Sequence, residues 1–317
     1  MAVKTFASQA DLADKTVRFD RLADGVYAYT AEGDPNSGVV VGEDGVLVMD
    51  AQATPAMAQD VLRCIREVTD RPVLYLVLSH YHAVRVLGAS AYGAREIIAS
   101  EATRALVRER GQHDFESEVN RFPRLFRDVE SIPGLTVPTL SFESALTLTL
   151  GGREVRLLHL GRGHTKGDIV AWLPEERVLL SGDLVEYGAT PYAGDAYLRD
   201  WPATLARLRA LKPERLVPGR GAALTSRAAI EEAIEATGRF VTRLYEEAAK
   251  GVAAGKSLKA VFEESYAALE KDYGRWVIFE HCMPFDVARA YDEASGIEHP
   301  RIWTKERDLE MWRALRG

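Results

Sequence analysis

Cysteine is scarce in this chain. Cys64 and Cys282 are the two among 317 residues, which excludes a disulfide framework and a cysteine-rich zinc module. Long apolar runs are missing as well. No stretch approaches the ~20 residues that a membrane span needs. The N-terminal MAVKTFASQADLADKTVRFD has no apolar run of signal-peptide length. A basic surplus is also absent. Forty Lys and Arg against 47 Asp and Glu give a formal net charge of −7, leaving no excess of cations to neutralise phosphates. These absences together predict a soluble cytoplasmic protein with neither nucleic acid nor membrane as partner. Apolar residues at 47% and charged residues at 27% are ordinary for a folded domain and exclude global disorder. Histidine is sparse too, at seven residues, so the positions of those seven carry much of the argument.

Residues 20–50 read as short strands. The segment Gly25–Thr30 alternates partly, and Gly38–Gly42 with Val46–Asp50 around Glu43-Asp44-Gly45 gives a hairpin signal. Residues 55–69 have Pro55 early and Val61, Ile65 and Val68 at helical spacing. The run Val73–Ser79 is a buried strand that ends at His80. A helix is expected around 101–110, while 111–134 is polar and aromatic without a clear period. Residues 139–160 alternate like a second hairpin around Gly151-Gly152. Ile169–Leu173, Arg177–Ser181 and Leu216–Pro218 are further strands, 200–211 is helical, and so is most of the chain beyond 226. Strands and helices in this mixed order predict sheets covered by helices.

Three places combine a strand end with metal-ligating chemistry. SHYHAVRV (79–86) puts two histidines one residue apart directly after an apolar strand, and imidazole is the commonest metal ligand. LGRGHTKGDIV (160–170) holds His164 in a glycine-flanked loop. LLSGDL (179–184) ends an apolar strand on Asp183, a position that also suits a turn or helix cap.

His-x-His, then His, then Asp, each at a strand end and in this order, resembles the metallo-β-lactamase superfamily. The resemblance runs from about residue 20 to about 235. It takes in Asp50, His80-Tyr81-His82, Gly163–Asp168, Ser181-Gly182-Asp183 and Val217–Gly221. It implies an α/β fold, the four-layer αβ/βα sandwich, over residues 1–235, with a C-terminal helical extension at 236–317. It also implies a first metal site at His80, His82 and His164 with Asp183 adjacent. The family's usual His-x-His-x-Asp-His and Pro-Gly-His-Gly motifs are altered here. Val84 stands for the Asp, Arg85 for the last His of the first motif, and Arg220 for the His of the last motif. Arginine stays protonated and cannot bind a cation, so the resemblance implies one metal ion rather than two. Arg85 and Arg220 would then replace the charge of the second ion, pair with Asp183, or fork onto an anionic substrate.

Two chemistries follow. A three-histidine site with an open position suits one zinc ion and hydrolysis of a small ester, thioester, lactone or amide. His80, His164 and Asp183 would alternatively suit one iron ion and a mononuclear oxygenase. A non-catalytic metal- or ligand-binding protein is the third reading. With Val84 unable to take a proton, Asp183, Tyr81 and Tyr187 are the candidate bases. His159 reads as a core residue or a partner to a ligand, His113 as a solvated or lid residue, and His299 as a surface turn. His281-Cys282 falls in the extension, where Cys282 reads as structural. The aromatics beyond 236, among them Phe240, Tyr266, Trp276, Phe285, Trp303 and Trp312, predict either a cap over the pocket or a homodimer through the C-terminal helices.

Overall fold

Val46–Met49 forms strand β4 and shows how the layers arise. Val46 and Val48 join one apolar cluster, and Leu47 and Met49 join another, as the two-residue period of a strand requires. The computed structural model describes residues 6–316. Residues 1–5 and Gly317, at the outer ends of the two spans drawn from the sequence, lie outside the described residues. β4 belongs to a seven-stranded sheet with β1 (Val17–Ala23), β2 (Val26–Ala31), β3 (Ser37–Val41), β5 (Val73–Val77), β6 (Glu96–Ser100) and β7 (Leu140–Phe142), laid side by side in chain order. The first four pair antiparallel and β4 to β7 pair parallel. A second sheet runs β12-β11-β10-β9-β8, from β8 (Ala145–Leu150), β9 (Arg153–Leu158), β10 (Val170–Leu173), β11 (Val178–Leu180) and β12 (Arg215–Val217).

The facing sides of the sheets share one core, to which the first contributes Val26, Leu47, Val77 and Ile98 and the second Leu157, Ala171 and Leu180. Helix α1 (Pro55–Val68) packs Val61 and Ile65 onto the outside of the first sheet. It starts where its signals place it, with Pro55 in the first turn and the Thr54 hydroxyl accepting from Met57 N at 3.2 Å. Short α2 (Ala83–Val86) and long α3 (Glu101–Arg121) pack against each other. The outside of the second sheet is covered by α4 (Trp201–Ala210), α5 (Arg227–Ala253), α6 (Leu258–Tyr273) and α7 (Phe279–Ala294), and α8 (Lys305–Arg316) packs on α7. The result is the expected helix–sheet–sheet–helix sandwich with C-terminal helices. No helix among the described residues is long and apolar enough to cross a membrane.

Three details differ from the sequence reading. α3 continues beyond 110 to Arg121 because its inward face is polar. Arg110, Asp114, Ser117, Glu118 and Arg121 are buried there, so no apolar period marks the helix. The span 139–160 divides between the sheets: Glu143-Ser144 breaks the chain, sending Leu140–Phe142 to β6 and leaving Ala145–Leu158 as the hairpin. Finally, residue 235 lies inside α5, a 27-residue helix capped by Ser226. Ile230 and Ile234 before that point, and Phe240, Val241 and Leu244 after it, enter the same cluster over the second sheet.

The C-terminal helices should therefore unfold with the sandwich. Phe240→Ala removes a fully buried ring and is expected to cost about 3–5 kcal/mol. Urea denaturation should show one transition at a lower midpoint with an unchanged slope. A separate early transition for the helices would contradict a shared core.

Candidate metal centre

β5 leads through Leu78 and Ser79 into His80 at the edge of the sandwich. Asp50 follows β4 and fixes that exit, since its carboxylate accepts from Ser79 N and from Ser79 Oγ, both at 2.8 Å. The hydroxyl has spent its proton on Asp50, so its lone pair accepts from His80 Nδ1 at 2.8 Å. His80 is thereby set with Nε2 unprotonated. His82 donates from Nε2 to Asp195 Oδ2 at 3.2 Å, which leaves Nδ1 facing inward. His164 donates from Nδ1 to the Tyr192 carbonyl at 2.8 Å, which frees its Nε2. These tautomers follow from the partners rather than from visible hydrogens.

The loop that carries His164 is held by its own residues. Asp168 accepts from Thr165 N at 2.8 Å and Thr165 Oγ1 at 2.6 Å. Gly167 fits against α3, where a Cβ would lie 2.5 Å from Thr103 N. His159 bonds the Asp168 carbonyl at 2.8 Å, so it supports this loop. His113 is exposed on α3 and His299 is exposed, bonded to Arg110.

The three inward nitrogens meet. His164 Nε2 lies 3.2 Å from His80 Nε2 and 2.9 Å from His82 Nδ1, and all three rings are buried. The donors lie within 4.8 Å of one another, and their three residues could hold a metal ion. Three ring nitrogens directed at one point become a three-donor set for a cation once His82 gives up its Nδ1 proton. The hydrogen-bonding of each far nitrogen is what a metal-binding histidine requires. The donor set therefore fits the ion that the resemblance implies. Asp183 Oδ2 is 3.8 Å from His80 Nε2 and 3.7 Å from His164 Nε2.

Asp183 is bracketed by two guanidinium groups. Arg85 donates to its Oδ1, and also to the Asn36 and Gly219 carbonyls at 2.8 Å each. Arg220 donates to its Oδ2 at 3.1 Å. Gly219 is required here, because a Cβ would come within 2.2 Å of Asp183 Oδ1. Burial alone would raise the Asp183 pKa, but Arg85, His80 and Arg220 together hold it well below the usual carboxylate range. Glu186 receives the Arg220 backbone N–H and is pushed well above the ordinary range by burial and by Asp183.

Not every sequence candidate reaches the same place. Arg220 lines the small cavity beside the histidines, whereas fully buried Arg85 is committed to Asp183 and two carbonyls. Tyr81 packs on Leu106 and Val107 of α3. Burial and the nearby Asp195 hold its phenol well above the ordinary value. Several supporting residues had no signal in the sequence. Asp195 and Tyr192 come from an irregular loop. Asp114 and Glu118 of α3 accept from the backbone N–H groups of Ala83 and Val84, satisfying the open start of α2. The cavity, about 10 Å³, has room for about one water. Its outer wall includes Ile278, His281 and Cys282 from the start of α7. Ile278 sits at φ 60°, a conformation costly for a β-branched residue. The extension thus walls the site. Cys282 is buried with its thiol bonded to the Thr190 carbonyl, consistent with a structural role.

Sheets, helices and histidine cluster together define a metallo-hydrolase-type sandwich. Residues 30–220 match the family model described as the metallo-beta-lactamase superfamily, and the chain belongs to that superfamily. It is 25% identical over 231 residues to a type 2 metallo-beta-lactamase of Bacteroides fragilis, covering 67% of this chain and 84% of the relative. It is 22% identical over 243 residues to a linear primary-alkylsulfatase of Pseudomonas sp. (strain ATCC 19151), covering 66% of this chain and 46% of that longer relative. A solved metallo-beta-lactamase from Pontibacter korlensis superposes with a TM-score of 0.55 at 21% identity, over 69% of this chain and 99% of that one. This last likeness supports the fold.

Two outcomes are expected at this centre. Asp195→Asn should weaken zinc binding by about 10–100-fold, read by competition with a chromophoric chelator. An unchanged affinity would mean that the carboxylate does not orient His82. The second outcome concerns protons. Burial lowers the His82 pKa, but Asp114, Asp195 and Glu118 outweigh it and push the pKa up to about 9. In the metal-free protein the Nδ1 proton then lies between His82 and His164, and its stabilisation is full below about 6.5 and lost as pH rises through about 9. Metal uptake at pH 7.5 should displace about one proton, measurable by calorimetry in buffers of different ionisation enthalpy. Release near zero would contradict a protonated His82.

Proposed function

We propose that the protein is a hydrolase with a single metal ion, held by His80, His82 and His164 with Asp183 beside it. One observation carries this reading. Three imidazole nitrogens converge, while arginines stand where the resemblance places the histidines of a second ion. Arg85 and Arg220 bring two fixed positive charges to Asp183, so the carboxylate is neutralised without a second cation. A zinc ion in such a histidine set acts as a Lewis acid and supplies hydroxide as a nucleophile at neutral pH.

The chain's own residues would do the rest. The Asp50–Ser79–His80 relay, the Asp195–His82 bond and the Tyr192 carbonyl fix the three rings, so little reorganisation accompanies reaction. Arg220, with a face on the cavity, places a fixed positive charge beside the histidines. Asp183 is a poor proton acceptor because its two arginines favour the ionised form. Its role is to neutralise the arginines and to complete the donor set. Buried Tyr81, with its raised pKa, supports His82 by packing against it, the two ring centres being 4.5 Å apart. The substrate class is a small ester, thioester, lactone or amide. Both terminal nitrogens of fully buried Arg85 are engaged within the protein, so an anionic group on the substrate is not a requirement.

Metal analysis tests this reading. The purified protein, stripped and reloaded, should take up one zinc ion per chain and hydrolyse activated esters. His164→Ala should lose both properties, beyond about 100-fold in affinity. Two tightly bound ions per chain would overturn the single-ion reading. One iron per chain with oxygen uptake would replace hydrolysis with oxygenation. Failure to bind any first-row metal would overturn both.

A further inference from the structure

His281 is fully buried in the first turn of α7, 2% exposed, and neither ring nitrogen has a hydrogen-bond partner among the described residues. Its ring is sandwiched by aromatic neighbours, with centroids 4.0 Å from Phe122 and 5.6 Å from Phe285. A buried imidazole always has one donor and one acceptor to satisfy when neutral, and such groups are rarely left open. Burial, with Arg121 and Arg220 nearby, keeps this ring in its neutral form.

Its position gives the open nitrogens a purpose. On one side His281 lines the inner cavity with His82, His164, Asp183 and Arg220. On the other it lines a groove of about 650 Å³ between α6, α7, α8 and the N-terminal turn, a volume suited to a small ligand. Among the residues lining these two spaces, His281 alone is shared. The groove walls are aromatic, with Phe262, Tyr266 and Trp312. The Trp312 indole N–H is itself buried without a partner. The charges at the groove cancel by sign, Lys259 and Arg316 against Glu263 and Glu280. A neutral ligand with an apolar body and a hydrogen-bonding carbonyl matches these walls, these open polar atoms and this balance.

We propose that the groove binds the apolar body of a neutral carbonyl compound, an aryl- or alkyl-substituted ester or amide, and that His281, the residue shared by the linings of the groove and the inner cavity, contacts its polar end. The choice of ester or amide rests on the hydrolase reading given above, whereas occupation of the groove does not. The occupant is fixed by continuity with the centre through His281 and by the two open N–H-bearing rings.

The test uses the full-length protein and 4-phenylbutanamide as probe. Calorimetry should show saturable binding, and the Trp312 indole resonance, assigned by its loss in Trp312→Phe, should shift with the probe. His281→Phe and Trp312→Phe should each weaken binding about three- to tenfold, the effect of one lost hydrogen bond. Leu315→Trp, which fills the groove, should abolish it. His80→Ala, which removes a metal donor, should leave probe affinity unchanged. Absence of saturable binding, equal affinity in the His281 and Trp312 variants, or loss of binding in His80→Ala would each overturn the proposal. So would a Trp312 shift that follows protein concentration without probe, which would assign the groove to a second copy. A failed metal analysis with intact probe binding would overturn only the hydrolase reading.

Discussion

The pairing of Asp183 with Arg85 and Arg220 is the interaction on which the centre depends. All three side chains are almost fully buried. Each comes from a different connection: Asp183 from the end of β11, Arg85 from α2 after β5, and Arg220 from the turn after β12. Removing Asp183 would leave two guanidinium groups without their shared carboxylate in a dry site, which costs far more than the intact cluster contributes. The cluster therefore acts less as a source of stability than as a register device. It requires the ends of β5, β11 and β12 to meet, and the three histidines ride on that meeting.

Around this cluster, polar groups are assigned in chains. Asp50 fixes Ser79, and Ser79 fixes the tautomer of His80. Asp195 fixes His82 while also pairing with Arg110 at 3.2 Å. Asp114 and Glu118 close the start of α2 immediately after His82. The buried polar face of α3 is thus not a defect in an amphipathic helix. It is the supporting wall of the centre, and it explains why so many charged residues are buried on one helix. His281 and Cys282 of α7 line the same cavity as Glu118 and Phe122, so the interior of the site is shared between the sandwich and the C-terminal helices.

Local features made much of this legible. Strand ends, the Pro55 helix start, and the Gly151-Gly152 turn are short-range signals, and the structure forms its elements there. His80, His82, His164 and Asp183 stood at strand ends, where a rigid backbone positions a side chain. Asp195, Tyr192, Glu118 and His281 could not be found in this way. They lie in an irregular loop or on helices, and their roles are created by contacts across 28 to 159 positions of chain.

The sequence alone determined which groups are available: three imidazoles near strand ends, the guanidinium groups of Arg85 and Arg220, and alternating apolar residues that make two-sided strands. Those properties follow from residue type and local period. Only the tertiary structure decided which nitrogen of each imidazole faces inward, that Arg85 is spent on Asp183 and backbone carbonyls, and that His281 stands between the metal centre and an aromatic groove. The reason is physical. Periodicity reports which face of an element is buried, but hydrogen-bond direction and charge pairing depend on partners that become neighbours after the sheets have packed.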